Sequence, residues 1–98
     1  MVHYTHVYDG RKLADLEAAK VDIVGSVPSA AIECVPVDVT DHDRVKAAFT
    51  QCQKTSGSVH TLICCAGAAI TGKMVDIPVS DFKKGMDLNY FGTIHCVK

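Results

Sequence analysis

Apolar positions along this chain fall into short runs with two different spacings. In residues 10–25, GRKLADLEAAKVDIVG, Leu13 and Leu16 lie three apart, Ala19 or Lys20 and then Val24 continue the series, and Gly25 ends it. That spacing on an Ala-rich background predicts an amphipathic helix, which PSAA then breaks. Residues 32–39, IECVPVDV, are short, β-branched and closed by a polar corner, which predicts a strand. In TDHDRVKAAFTQCQKTSG, Val45, Ala48, Phe49 and Cys52 fall at i, i+3, i+4 and i+7. They form one face of a second helix, with Thr40 or Asp41 as its cap and Gly57 as its close. Residues 59–65, VHTLICC, make a near-continuous apolar run, the pattern of a strand covered on both faces. A loop over 66–78 ends at Pro78, and Ser80 then caps a third helix that runs through DFKKGMDLNYFGTIHCVK to the last residue. No repeat interrupts this alternation, which predicts an α/β fold with a parallel sheet.

Composition narrows the picture without redirecting it. Ninety-eight residues hold at most one small domain. Apolar residues at 48% and charged ones at 21% are those of a soluble globular chain, and a net charge of −1 supplies no basic field for nucleic acid. No apolar run approaches the roughly 18 residues that span a bilayer. The opening MVHYTHVYDGRK has neither the charged leader nor the apolar core of a signal peptide. Of five cysteines none forms a CxxC pair, and adjacent Cys64 and Cys65 are badly placed for a structural disulfide. Buried free thiols in a reducing, cytoplasmic compartment are expected. The five histidines lack metal-ligand spacing, so no metal site is expected.

Candidate chemistry gathers at the carboxyl ends of the strands, where parallel sheets bind ligands. Asp38 closes the first of them, and Ala66-Gly67-Ala68-Ala69 follows the second, with no large side chain to fill the space. Alone, Asp38 reads as a cap or turn residue and Ala66-Gly67 as an ordinary loop entry. At equivalent ends of neighbouring strands they point to a shared crevice. The last helix adds a third feature. Its face of Phe82, Met86, Asn89, Thr93, Cys96 and Val97 is apolar except for Asn89. A buried amide without partners costs a few kcal/mol, so Asn89 must bond a backbone group or an ordered water. It either bridges helix and strand or holds a water or a catalytic side chain. Gly92, one turn on, permits close approach of helix and sheet.

VDVTD (37–41), LICCAG (62–67) and MDLNYFGT (86–93) together resemble the short-chain dehydrogenase/reductase family, in the order and at the separations found there. The resemblance covers essentially the whole chain. It implies a partial Rossmann-type doubly wound parallel sheet over residues 1–98, holding strands 2–4 of the family fold. In that family the Asp of DVT holds the cofactor's adenine, which implies this role for Asp38 with Val39 beside it. The end of the fourth strand lies along the adenosine half, which implies Cys65, Ala66 and Gly67. The Asn of the following helix completes a catalytic tetrad, which implies Asn89. Lys12 matches a position that binds the extra phosphate of NADP(H), with Arg11 as a partial substitute. Within the family, CAGAAITGKMVDIPVSDFKKGMDLNYFGTIHCVK is similar to 3-ketodihydrosphingosine (3-dehydrosphinganine) reductases. These use NADPH to reduce a long-chain ketone in sphingolipid synthesis at the cytosolic face of the endoplasmic reticulum.

The departures are as specific as the matches. The family's first strand and its Gly-rich TGxxxGxG turn are absent, and MVHYTHVY only weakly resembles the second strand, with Tyr8 where an Arg is usual. The catalytic Ser and the YxxxK pair are absent as well. Tyr4, Tyr8 and Tyr90 have no Lys four residues on. In the family's strand order 3-2-1-4-5, VHTLICC loses its neighbour, so both of its edges are expected to be open and the chain marginally folded. The resemblance thus implies a catalytically inactive piece of an NADPH-dependent reductase. Two alternatives stand beside it: a non-enzymatic module pairing with itself or with a full-length relative, and an unrelated flavodoxin- or receiver-type domain.

Overall fold

A computed structural model of the chain describes residues 3–6 and 12–98. A first strand, β1 (His3–His6), and a second, β2 (Ala31–Cys34), pair in parallel, with His3 opposite Ala31 and His6 opposite Cys34. Parallel neighbours need a crossover, and helix α1 (Leu13–Ser26) supplies it. Helix α2 (His42–Ser56) follows. After a long irregular stretch and a 3-10 turn at Met74–Asp76, helix α3 (Val79–Met86) continues through a π turn at Asp87–Phe91 into α4 (Gly92–Val97).

The core lies between the chain beyond β2 and the inner face of α2. Val35, Val37 and Val39 are buried, while Pro36 between them is exposed and Asp38 half-buried. This is the period-two alternation of extended backbone, although the ladder itself stops at Cys34. From α2, Val45, Ala48 and Cys52 close on these valines, as their helical spacing requires. Each buried valine contributes roughly 1.5 kcal/mol or somewhat more. On the outer side, Glu33 accepts from Gln51 Nε2 at 3.1 Å and from Thr55 Oγ1 at 2.5 Å, tying β2 to α2.

Local signals explain where α2 begins and ends. Asp41 accepts from the Arg44 amide at 3.1 Å, satisfying one of the donors a helix start leaves open. Gly57, at φ +84°, reverses the chain in a region that L side chains rarely adopt.

Three expectations are corrected. VHTLICC is not a strand: residues 57–71 carry no regular structure, and Leu62 and Ile63 are exposed. A run patterned for coverage on both faces becomes a strand only beside partners, and the sheet among the described residues holds β1 and β2 alone. The family's partial doubly wound sheet is therefore reduced here to one parallel pair. Second, Ser80 is not the cap of the third helix. Pro78 holds that position, its carbonyl accepting from Asp81, because its fixed φ suits a helix entry. Third, the face of Phe82, Met86, Asn89, Thr93, Cys96 and Val97 is buried only in part, at Phe82, Thr93 and Cys96. Leu88, Gly92 and Cys96 meet the core, whereas Met86, Asn89 and Val97 are exposed.

Of the remaining helix predictions, the second matches within a residue or two, whereas the first, expected over residues 10–25, begins at Leu13 and ends at Ser26. Residues 10 and 11 of the first, together with Tyr8 and Arg11, lie outside the described residues. The radius of gyration is 15.5 Å, against about 13 Å for a compact chain of this length. Apolar side chains from Val59 through Val79 are left uncovered.

Candidate functional site

The last helix brings two chain corners together. Toward one of them Asn89 extends its amide: Nδ2 donates to the Ala68 carbonyl at 2.8 Å, and Oδ1 accepts from the Ala68 amide at 2.8 Å. Both polar ends of one side chain thus hold one residue's backbone. A Cβ placed on the adjoining Gly67 would lie 3.1 Å from Asn89 Oδ1, a tight contact that the Asn89 side chain relieves only by shifting a few tenths of an ångström. Of the two partners expected for Asn89, a backbone group or an ordered water, the structure supplies a backbone group, Ala68, although the burial from which the need was argued is not found. Asn89 is exposed rather than buried.

Three residues on, Gly92 meets the other corner. A Cβ at Gly92 would stand 2.7 Å from Val39 Cγ2, so only a glycine lets the helix approach this closely. His95 then fixes the end of that segment. Its Nδ1 lies 2.7 Å from the Val39 carbonyl, and since a carbonyl only accepts, this nitrogen carries the proton. The ring stacks on His42 with centroids 4.9 Å apart and 13° between planes. Asp38, next to Val39, turns its carboxylate onto Thr40: Oδ1 accepts from the Thr40 amide at 2.9 Å and from its hydroxyl at 2.7 Å. This locks the turn into α2 and fixes the carboxylate.

Of the residues named from sequence, Val39, Ala66, Gly67 and Asn89 are brought into one neighbourhood, with Asp38 bonded to it through Val39. Ala66 packs on the valine core, while Cys65 beside it is exposed. Lys12 stands apart: it precedes α1, is exposed, and has no described contact to the others. Sequence reasoning named Ala68 only as part of the small-residue corner, not as the partner of Asn89, and missed His95. His95 had a legible signal, since it follows Gly92 by three and shares its helical face. Two open hollows, one along the outer side of α2 and one along Phe82, Met86 and Phe91, lie away from this corner.

The chain belongs to the short chain dehydrogenase family, whose sequence model matches residues 4–98. It is similar to the 3-dehydrosphinganine reductase of Danio rerio, 38% identical over 63 residues, which are 63% of this chain and 19% of that protein. It also matches the NADPH-dependent 1-acyldihydroxyacetone phosphate reductase of Schizosaccharomyces pombe, 34% identical over 82 residues, or 83% of this chain and 28% of that one. The chain thus spans under a third of either relative. Among solved structures, ElxO with NADP bound superposes with a TM-score of 0.73 at 24% identity, covering 97% of this chain and 36% of that one. The fold is therefore the Rossmann-like one of the family. Among the described residues, no helix is long and apolar enough to cross a membrane.

Proposed function

We propose that residues 1–98 form part of an NAD(P)-binding domain, the adenosine side of the cofactor groove in an NADPH-dependent reductase of long-chain ketones. The substrate class is that of 3-ketodihydrosphingosine, in sphingolipid synthesis at the cytosolic face of the endoplasmic reticulum. Similarity to the 3-dehydrosphinganine reductase supports the substrate, and the S. pombe relative supports NADPH. One observation carries the reading: a corner of Ala66, Gly67 and Ala68, free of bulky side chains, is held in place by Asn89 beside the Asp38-Val39 turn.

These residues fit a nucleotide. Asp38, fixed through Thr40, offers a carboxylate to the adenine amino group, and Val39 supplies the neighbouring backbone. Cys65, Ala66 and Gly67 let the adenosine approach the main chain. Lys12 offers its ammonium to the 2′-phosphate that distinguishes NADP(H) from NAD(H). The bound nicotinamide would supply the hydride. Asn89, whose amide is occupied at both ends by Ala68, holds the corner and moves no proton. Proton donation in the family belongs to a Tyr-Lys pair, a role that none of the residues named here takes.

Titration of the chain with NADPH, followed by nicotinamide fluorescence, tests this. Saturable binding that 2′,5′-ADP displaces, and that Asp38→Ala and Lys12→Ala weaken, is the expected result. Absence of saturation at millimolar nucleotide would overturn the reading. A second reading, a non-catalytic module that pairs with another copy or a full-length relative, draws on the exposed apolar stretch Val59–Ile63. It predicts a stable complex without nucleotide.

A further inference from the structure

Cys64 and Cys65 are adjacent, exposed and free. The other three thiols are engaged or covered. Cys34 Sγ donates to the Leu16 carbonyl at 3.5 Å, Cys52 is buried in the core, and Cys96 packs half-buried against it. Among the described residues no group of three or more His, Cys, Asp or Glu could hold a metal ion. The pair lies in a stretch, residues 57–71, that carries no regular structure. In a strand, successive side chains point to opposite faces and the two sulfurs could not meet. Here no helix, ladder, turn or cap hydrogen bond is described between residues 58 and 67.

We propose that Cys64-Cys65 is a thiol-exchange site that a small disulfide of the glutathione type converts into a reversible vicinal disulfide. One thiolate attacks a sulfur of the glutathione disulfide; that S–S bond breaks, a mixed disulfide forms, and one glutathione leaves with a proton. The neighbouring thiol attacks the protein-side sulfur and expels the second glutathione as its thiol. Two protein thiols are oxidised and one glutathione disulfide is reduced, which closes the balance. The product is strained, because α-carbons across one trans peptide stand about 3.8 Å apart, below the roughly 4.4 Å at which disulfides usually begin. Strain makes the bond easily reduced, the behaviour of a regulatory rather than a structural disulfide.

Closure pulls on a corner that is anchored immediately downstream. Ala66 packs on the core and Ala68 is held by Asn89. Twisting the 64–65 peptide therefore loads the Asn89–Ala68 pair, and with it the groove proposed above.

The full chain is incubated with glutathione disulfide and its intact mass and proteolytic fragments are read. The wild type is expected to lose two hydrogens, retain no glutathione, and show the bond between Cys64 and Cys65, reversibly by dithiothreitol. Cys64→Ser and Cys65→Ser should each retain one glutathione, the second thiol being gone. Amide exchange at Ala68 should rise in the oxidised chain. Glutathione persisting on the wild type, or a bond drawn from Cys34, Cys52 or Cys96, would overturn the proposal. None of these readouts needs nucleotide. A reduced chain that fails to bind NADPH therefore counts against the proposed function and not against the thiol site.

Discussion

Asn89 grips Ala68 by both its backbone amide and its carbonyl, at 2.8 Å each, across 21 residues of sequence. A side-chain amide matched to a peptide group in this way acts as a single strand neighbour would. It gives the irregular chain after Cys65 one fixed point, at the place where a strand end would need it most.

Removing that grip should be measurable. Asn89→Ala is expected to cost about 1 kcal/mol, since the bonds are solvent-exposed and their net worth is modest. Asn89→Asp should cost more, because it deletes the donor and sets a carboxylate against the Ala68 carbonyl. Urea unfolding gives the energies. Protection of the Ala68 amide from exchange should fall in both variants, and unchanged protection would mean that the clamp does not hold in solution.

Two glycines should respond in opposite directions. Gly92→Ala places a methyl 2.7 Å from Val39 Cγ2 and should destabilise by roughly 1–3 kcal/mol through overpacking. Gly25, within α1, has nothing within 4 Å, so Gly25→Ala should stabilise by up to about 1 kcal/mol through helix propensity. Thermal midpoints of the two variants, measured side by side, check the pair.

Alkaline pH should weaken the fold through Cys52. Burial raises its thiol above the ordinary 9.0, and the negative charge of Glu33 adds to the effect. The folded chain then keeps the proton to a higher pH than the unfolded chain does. This contribution is complete below pH 9 and is lost as pH climbs above it. Urea midpoints recorded from neutral pH upward should fall in the wild type, and the fall should be shallower in Cys52→Ala.

Exposed apolar side chains in the irregular stretch predict self-association. Ile63 is 76% exposed, so Ile63→Lys removes no core contact. It should leave the unfolding free energy within about 0.5 kcal/mol and reduce concentration-dependent light scattering. Scattering that stays the same would place the sticky surface elsewhere.

Much of the fold is legible where one element carries its own instructions. The spacing of Val45, Ala48 and Cys52, the Asp41 cap and the Gly57 reversal locate α2 without knowledge of anything distant. The motif residues Asp38, Ala66-Gly67 and Asn89 were equally visible. VHTLICC shows the limit. Its composition states what the segment would bury, but a ladder requires a neighbour, and hydrogen bonds to a neighbour are not a property of the segment.

By itself, the sequence determined the family, the alternation of helices with short extended runs, the boundaries of α2 and the small-residue corner. These depend on local spacing, capping and backbone freedom, which act over a few residues. Tertiary structure alone decided that Ala68 is the residue Asn89 holds, that Gly92 seats against Val39, that His95 closes the Asp38-Val39 turn, and that Leu88 and Gly92 rather than Met86 and Asn89 face the core. Each of these joins groups far apart in the chain, so each is fixed by which surfaces meet once α4 docks on the valine core.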